Sequence, residues 1–442
     1  RRTSSKVRPS EANFSSSEGK GADDAAMWND TSDTFVSGAL LVYRRRDDRN
    51  GMADFHQRGP ITTLHRLTAD ARTEAASSLS DLDVDNRVAL LIPCLVTEFD
   101  GPALPEMVNQ ISGLEWLSRV IVGVDGANKG SFEEAERLFS SLPQKTTVVW
   151  NDSASMKTFD RGVGVDPGVG KGSNLWRCIG AAAAFGDIDT IVVHDADIST
   201  YEPSFIARLA RPIVDERLGF DFVKGFYPRF DRHGLNGRVT RLLVGPLLEC
   251  LASSMPANPD ISYLQSFRYP LAGEFATHLS TARSFAIPEH WGVDISLLLA
   301  ARAAKCRVAQ TDLTDNYDHK HQSLSSEQPE LGLHRMARDI ISTTLSITDG
   351  RTVDAVDFDR RASEAIDAHR ANAISNYLPF DEANEATIVT LFSKLVREGP
   401  FSLPVDLPAW DQLEEQFAGC LTDLLSAVES QSTVPGSTQI SS

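Results

Sequence analysis

Cysteine is scarce and scattered: Cys94, Cys178, Cys250, Cys306 and Cys420 are the five among 442 residues, and none forms a CxxC pair. That pattern excludes a zinc ribbon or a disulfide framework, and it predicts reduced thiols in a cytosolic interior. Positive charge is also short. Against 61 Asp and Glu stand 43 Lys and Arg, a formal net charge of -18, which excludes general binding to nucleic acid or to anionic membranes. No apolar run approaches the roughly 20 residues of a membrane helix. The stretch from Arg1 to Asp30 is rich in serine and charge and lacks the apolar core of a secretory signal. A cytoplasmic location is expected, with an organelle stroma or matrix left open.

The remaining composition is that of a globular chain, 41% hydrophobic and 24% charged. Residues 1–85 have little sustained period and are expected to form a largely flexible extension with a few docked pieces. From Arg87 onward, short β-branched runs alternate with helix-length segments. Val88–Ile92, stopped by Pro93, reads as a first buried strand, Val120–Val124 as a second and Thr146–Trp150 as a third. Such alternation predicts an α/β fold, a doubly wound and mostly parallel sheet spanning residues 86–345. Residues 346–442 read as an α-helical C-terminal extension with a frayed tail, suited to homodimer formation.

The stretch of greatest chemical interest is Thr190-Ile191-Val192-Val193-His194-Asp195-Ala196-Asp197. A buried parallel strand that ends in two carboxylates, one residue apart, sits where open α/β sheets bind ligands. Paired carboxylates suit a hard divalent cation such as Mg²⁺ or Mn²⁺, which in turn holds a diphosphate. Upstream, Pro167-Gly168-Val169-Gly170-Lys171-Gly172 combines flexible backbone with one cation at the start of a helix, fit for phosphate, although the full P-loop pattern is absent. Downstream, Asp318-His319-Lys320-His321 offers imidazole to complete a metal shell. Gly237-Arg238-Val239-Thr240-Arg241 opens a further helix and suits a small anion.

Taken in order, Gly170-Lys171-Gly172, Asp195-Ala196-Asp197, Phe222-Val223-Lys224-Gly225-Phe226-Tyr227, Gly237-Arg238-Val239-Thr240-Arg241, Pro270-Leu271-Ala272-Gly273-Glu274 and Gly292-Val293-Asp294 resemble the glucosyl-3-phosphoglycerate synthases of glycosyltransferase family 81, which also contains mannosyl-3-phosphoglycerate synthases. The resemblance covers residues 87–345. It implies a GT-A-type fold and a metal-dependent, retaining hexosyltransferase. The implied substrates are a nucleoside-diphosphate sugar (UDP-glucose, or a GDP-sugar) and 3-phosphoglycerate. It further implies that Pro93, Leu95, Glu98 and Asp125 hold the nucleoside, and that Asp195, Asp197 and His319 hold Mg²⁺ or Mn²⁺. Lys171, Ala196, Glu274 and Trp291 would line the donor, while Gly237, Arg238 and Thr240 would bind the acceptor phosphate. Lys171, Asp197 and Asp294 are the implied catalytic set. Three positions depart from the family pattern. Pro93-Cys94-Leu95-Val96-Thr97-Glu98 lacks an asparagine, Asp125-Gly126-Ala127-Asn128 replaces Asp-Ser-Gly-Ser, and Asp294 replaces a glutamate. Glucose is the expected sugar; mannose transfer to 3-phosphoglycerate, transfer to free glycerate, nucleotidyl transfer and an inactive binding protein are the alternatives.

Overall fold

The computed structural model describes residues 59–68, 71, 79, 87–319, 332–348, 351–402 and 405–432. Their centre is an eight-stranded sheet. In chain order its strands are β1 (Thr62–Leu64), β2 (Val88–Leu95), β3 (Leu117–Asp125), β4 (Lys145–Trp150), β5 (Thr190–Val193), β6 (Phe222–Phe226), β9 (Phe275–His278) and β10 (Val308–Asp312). Across the sheet the order is β1-β10-β6-β9-β5-β2-β3-β4. Only β9 runs antiparallel to its neighbours β5 and β6. A two-stranded hairpin, β7 (Phe230–Asp231) and β8 (Gly234–Leu235), stands apart.

The unbroken apolar runs follow from having helices on both faces. Leu91, Ile121 and Ile191 point into one core, whereas Leu90, Val120 and Val192 point into the other. The switch in winding lies between β2 and β5, since β3 and β4 extend to one side of β2 and β5 to the other. Ligand crevices form at the carboxyl ends of strands at such a point.

Several boundaries differ from the sequence expectation, for identifiable reasons. The first strand continues through Pro93 to Leu95. Its pairing with β5 ends at Leu91 opposite Val193, and the Leu91 carbonyl already accepts from His194. The missing N–H of Pro93 faces that same side, past the last rung, so it costs no ladder bond. The helix after β2 spans Ala103–Ile111, and β3 opens already at Leu117, three residues before the expected Val120. The segment from Arg238 to Leu251 forms a wide turn, Thr240–Val244, that runs into the helix Gly245–Ser254 with Pro246 in its first turn. Within the helical extension, Gly419, at φ +87°, separates the helices Trp410–Gln416 and Cys420–Glu429.

The terminal regions are joined to the sheet. Thr62–Leu64 pairs with β10 as its edge strand. On the other side, Trp410 stacks on Trp176, with ring centroids 4.3 Å apart. Its indole N–H donates to the Trp176 carbonyl at 2.9 Å, and Trp176 donates to the Pro408 carbonyl at 2.8 Å. Gly180 makes room, because a Cβ there would lie 2.1 Å from the Trp410 ring. The helices Ala355–Ser375 and Glu382–Glu398 contribute Phe358, Ile366, Ile388 and Phe392 to the core that also holds Trp176. No helix among the described residues is long and apolar enough to cross a membrane.

Candidate active site

Beyond β5 the chain turns out of the sheet through Asp195, Ala196 and Asp197. An antiparallel bridge between Ile198 and His319, a 2.9 Å bond from the Ser199 N–H to the Asp318 carbonyl and a 3.0 Å bond from the Asp318 N–H to Thr200 Oγ1 draw the late loop alongside. His319 Nδ1 consequently lies 3.4 Å from Asp197 Oδ1. One ligating atom from each of Asp195, Asp197 and His319 falls within 4.8 Å of the other two. Oxygen and imidazole nitrogen at that spacing fit a hard divalent cation and leave positions open for substrate. The Asp195 carboxylate lies flat against Gly273, where an added Cβ would come within 2.3 Å of Oδ2. A side chain at position 273 would displace it.

Two lysines meet the carboxylates from below. Lys171 Nζ is 3.0 Å from Asp195 and 3.3 Å from Asp294. Lys224, wholly buried in the middle of β6, is 3.4 Å from the other Asp294 oxygen. Burial disfavours the Lys171 ammonium, but Asp195 and Asp294 more than offset this and hold its pKa above the usual lysine value. Burial prevails at Lys224, whose pKa is lowered despite Asp294. Beneath them, Tyr227 donates to Glu274 Oε2 at 2.5 Å and Tyr317 donates to Oε1. The two rings stack 3.7 Å apart. Burial, then the neighbouring Asp195 charge, pushes the Glu274 pKa up.

At the far end, β2 and β3 deliver Leu95 and Asp125 side by side. Asp125 is buried and accepts from Asn151 Nδ2 at 2.7 Å; burial outweighs that bond and lifts its pKa to about 6. Asn174 ties the two strand ends together by donating to the carbonyls of Cys94 at 3.2 Å and Gly123 at 3.0 Å.

The metal-ligand trio, Lys171, Asp294, Asp125 and Asn174 line one cavity of about 430 Å³. Its wall includes Pro93, Leu95, Glu98, Asp125, Lys171, Asp195, Ala196, Asp197, Trp291, Asp294 and His319, together with Gly237, Arg238 and Thr240. Glu274 requires correction. Expected against the donor sugar, it lies behind the cavity with both oxygens occupied by tyrosine hydroxyls. The glycine loop also has a different physical basis from phosphate approach alone. A Cβ at Gly170 would lie 2.2 Å from the Glu289 carbonyl oxygen, and one at Gly172 would lie 1.8 Å from that of Pro288. These glycines let the start of the helix Lys171–Phe185 pack against another backbone segment, which fixes where Lys171 emerges. His321 lies outside the described residues.

Lys224, Tyr227, Tyr317, Asn174, Arg229 and Tyr269 were not singled out from the sequence. For Lys224 a signal existed, a single charge inside the apolar run Phe222–Phe226. Tyr317 has none, because it meets Glu274 only through folding.

No family model matches the chain. It is 31% identical over 400 residues to a glucosyl-3-phosphoglycerate synthase of Persephonella marina, covering 86% of this chain and 98% of that protein. To the protein of the same name from Methanococcoides burtonii it is 31% identical over 404 residues, covering 84% and 98%. Among solved structures, a Mycobacterium tuberculosis glucosyl-3-phosphoglycerate synthase in complex with Mn²⁺, UDP and glucosyl-3-phosphoglycerate superposes with a TM-score of 0.48 at 22% identity, covering 65% of this chain and 88% of that one. With two relatives 31% identical and each matched over 98% of its length, the chain belongs to the glucosyl-3-phosphoglycerate synthase family.

Proposed function

We propose that this chain transfers glucose from UDP-glucose to the hydroxyl of 3-phosphoglycerate, with Mg²⁺ or Mn²⁺ and with retention at the anomeric carbon. The observation that carries the reading is one cavity with two chemically distinct groups of residues. A cation-ligating trio, Asp195, Asp197 and His319, and an arginine-bearing loop, Gly237, Arg238 and Thr240, line the same cavity. Both relatives are named for this reaction.

Asp195, Asp197 and His319 would hold the divalent ion, which when bound supplies Lewis-acid help by offsetting charge on the departing nucleoside diphosphate. Lys171 is already oriented by Asp195 and Asp294 and adds a fixed positive charge beside that leaving group. Asp294, held by both lysines, presents acceptor oxygens to the sugar hydroxyls. Arg238 and Thr240 fix the acceptor phosphate, so its hydroxyl approaches the anomeric carbon from the leaving group's own face. The departing phosphate oxygen takes the hydroxyl proton, and the mechanism needs no protein base.

The test is a product screen with purified enzyme, crossing UDP-glucose, GDP-glucose and GDP-mannose with 3-phosphoglycerate and glycerate, with Mg²⁺ or with excess chelator. Glucosyl-3-phosphoglycerate and UDP should form only with metal. A mannosyl product or preference for glycerate would replace the substrate assignment, and release of pyrophosphate would replace the reaction class. Asp197→Ala should abolish turnover with its thermal melting profile intact; normal activity of that folded variant would remove the metal site from the mechanism.

A further inference from the structure

A second arginine reaches the acceptor end of the cavity. The hairpin β7–β8 begins at Arg229 and returns at Asn236, whose N–H donates to the Arg229 carbonyl at 2.8 Å. It therefore places Arg229 beside Asn236, Gly237 and Arg238, and all four line the cavity. Arg229 Nη1 donates to the Tyr269 hydroxyl at 3.3 Å, and no carboxylate among the described residues pairs with it. Other cations nearby are committed. Arg241 makes a two-pronged pair with Glu385 at 2.8 and 2.9 Å, Lys171 is taken by Asp195 and Asp294, and Arg335 lies 4.0 Å from Asp339. Arg229 is also close enough to Arg238 for their charges to repel.

Three polar atoms in this corner, Arg229 Nε, Asn236 Nδ2 and Thr240 Oγ1, are shut off from solvent and have no hydrogen-bond partner among the described residues. Buried donors without a protein partner are costly, and an anion entering the cavity supplies the acceptor they lack. The proposed acceptor carries two anionic groups, a phosphate and a carboxylate, at opposite ends of a three-carbon chain, so two separate arginines can each take one.

We infer that Arg229, supported by Asn236, is the specificity-determining partner of the acceptor carboxylate, which leaves Arg238 and Thr240 for the phosphate. This rests on the function proposed above. The planar guanidinium suits a carboxylate in a two-bonded fork.

The experiment compares 3-phosphoglycerate as substrate with glycerol 3-phosphate, which lacks the carboxylate, as competitor. In Arg229→Gln the KM for 3-phosphoglycerate should rise about tenfold or more. The inhibition constant of glycerol 3-phosphate and the donor KM should stay as in the unaltered enzyme. Arg238→Ala should weaken both acceptor-side ligands. Equal weakening of both by Arg229→Gln, or no weakening of either, overturns the inference. Arg229→Lys and Asn236→Ala repeat the comparison if Arg229→Gln melts early. If the unaltered enzyme makes no product from 3-phosphoglycerate, the proposed function fails and this inference with it. A working enzyme without the discrimination sinks the inference alone.

Discussion

Asp125 shows how a single residue can give the reaction a pH dependence. Burial raises its pKa to about 6, and the Asn151 bond partly counters this. A carboxylate that reads a nucleoside N–H must be ionised, so the donor KM should climb as pH falls through 6. Asn151→Ala removes a stabiliser of the anion and should move that inflection upward; Asp125→Asn should flatten the profile. Initial rates across pH 5 to 8 (a window set by the ordinary carboxylate and imidazole range) decide it. The effect on stability has the opposite sign. A native acid whose pKa lies above its unfolded value binds protons more readily when folded, so this group's contribution is full in acid and is lost as pH rises through 6. Lys224 is the other telling residue. Lys224→Ala breaks a buried ion pair and should cost about 3 kcal/mol by denaturant melting, with kcat falling more than the donor KM because Asp294 loses one of its two anchors. Residues whose chemistry is local were legible in the sequence: Asp195, Asp197, Lys171 and Arg238 sit in recognisable strings. Residues whose role depends on a distant partner were not, as with Glu274, whose carboxylate is claimed by Tyr227 and by Tyr317, 43 residues away.

At the scale of elements, the helix Glu382–Glu398 does more than cover the core. Glu385 grips Arg241 at the base of the Gly237–Thr240 loop, and Arg241 Nε in turn holds the Asn236 carbonyl at 2.8 Å. Glu385→Ala should therefore raise the acceptor KM severalfold while leaving the donor KM unchanged, which initial-rate kinetics with each substrate varied will show. Equal shifts in both constants would indicate general loosening instead. Most strands could be read from their β-branched runs, because burial on both faces writes a continuous apolar signal. β9 escaped because its four residues, Phe275–His278, are too few to show a period, and its antiparallel direction comes from the connections around it. β1 escaped because Thr62–Leu64 is a half-buried edge strand of three residues.

On the scale of the whole molecule, the division into a catalytic domain and a helical extension does not describe separable bodies. Phe358, Phe392, Trp410 and Leu424 lie in the same core as Ile121 and Ile191. A chain stopped after Thr348 should be insoluble or lack a cooperative melting transition; a soluble, active fragment would refute this. Trp410→Ala in the full chain should cost about 3–5 kcal/mol, as for other buried tryptophans, readable from chemical denaturation. Within residues 87–345, most of the sheet and its ligand edge are legible. This dependence is not, because the contact joins positions far apart in sequence, with no local period to mark it.

The tryptophan that braces the helix bearing Lys171 follows Trp176 by 234 residues. On the ribosome, that helix lacks its brace until Trp410 has emerged. A product terminated before that position is thus born without the contact that seats the helix bearing Lys171, and competence to spend an activated sugar waits on a residue far downstream.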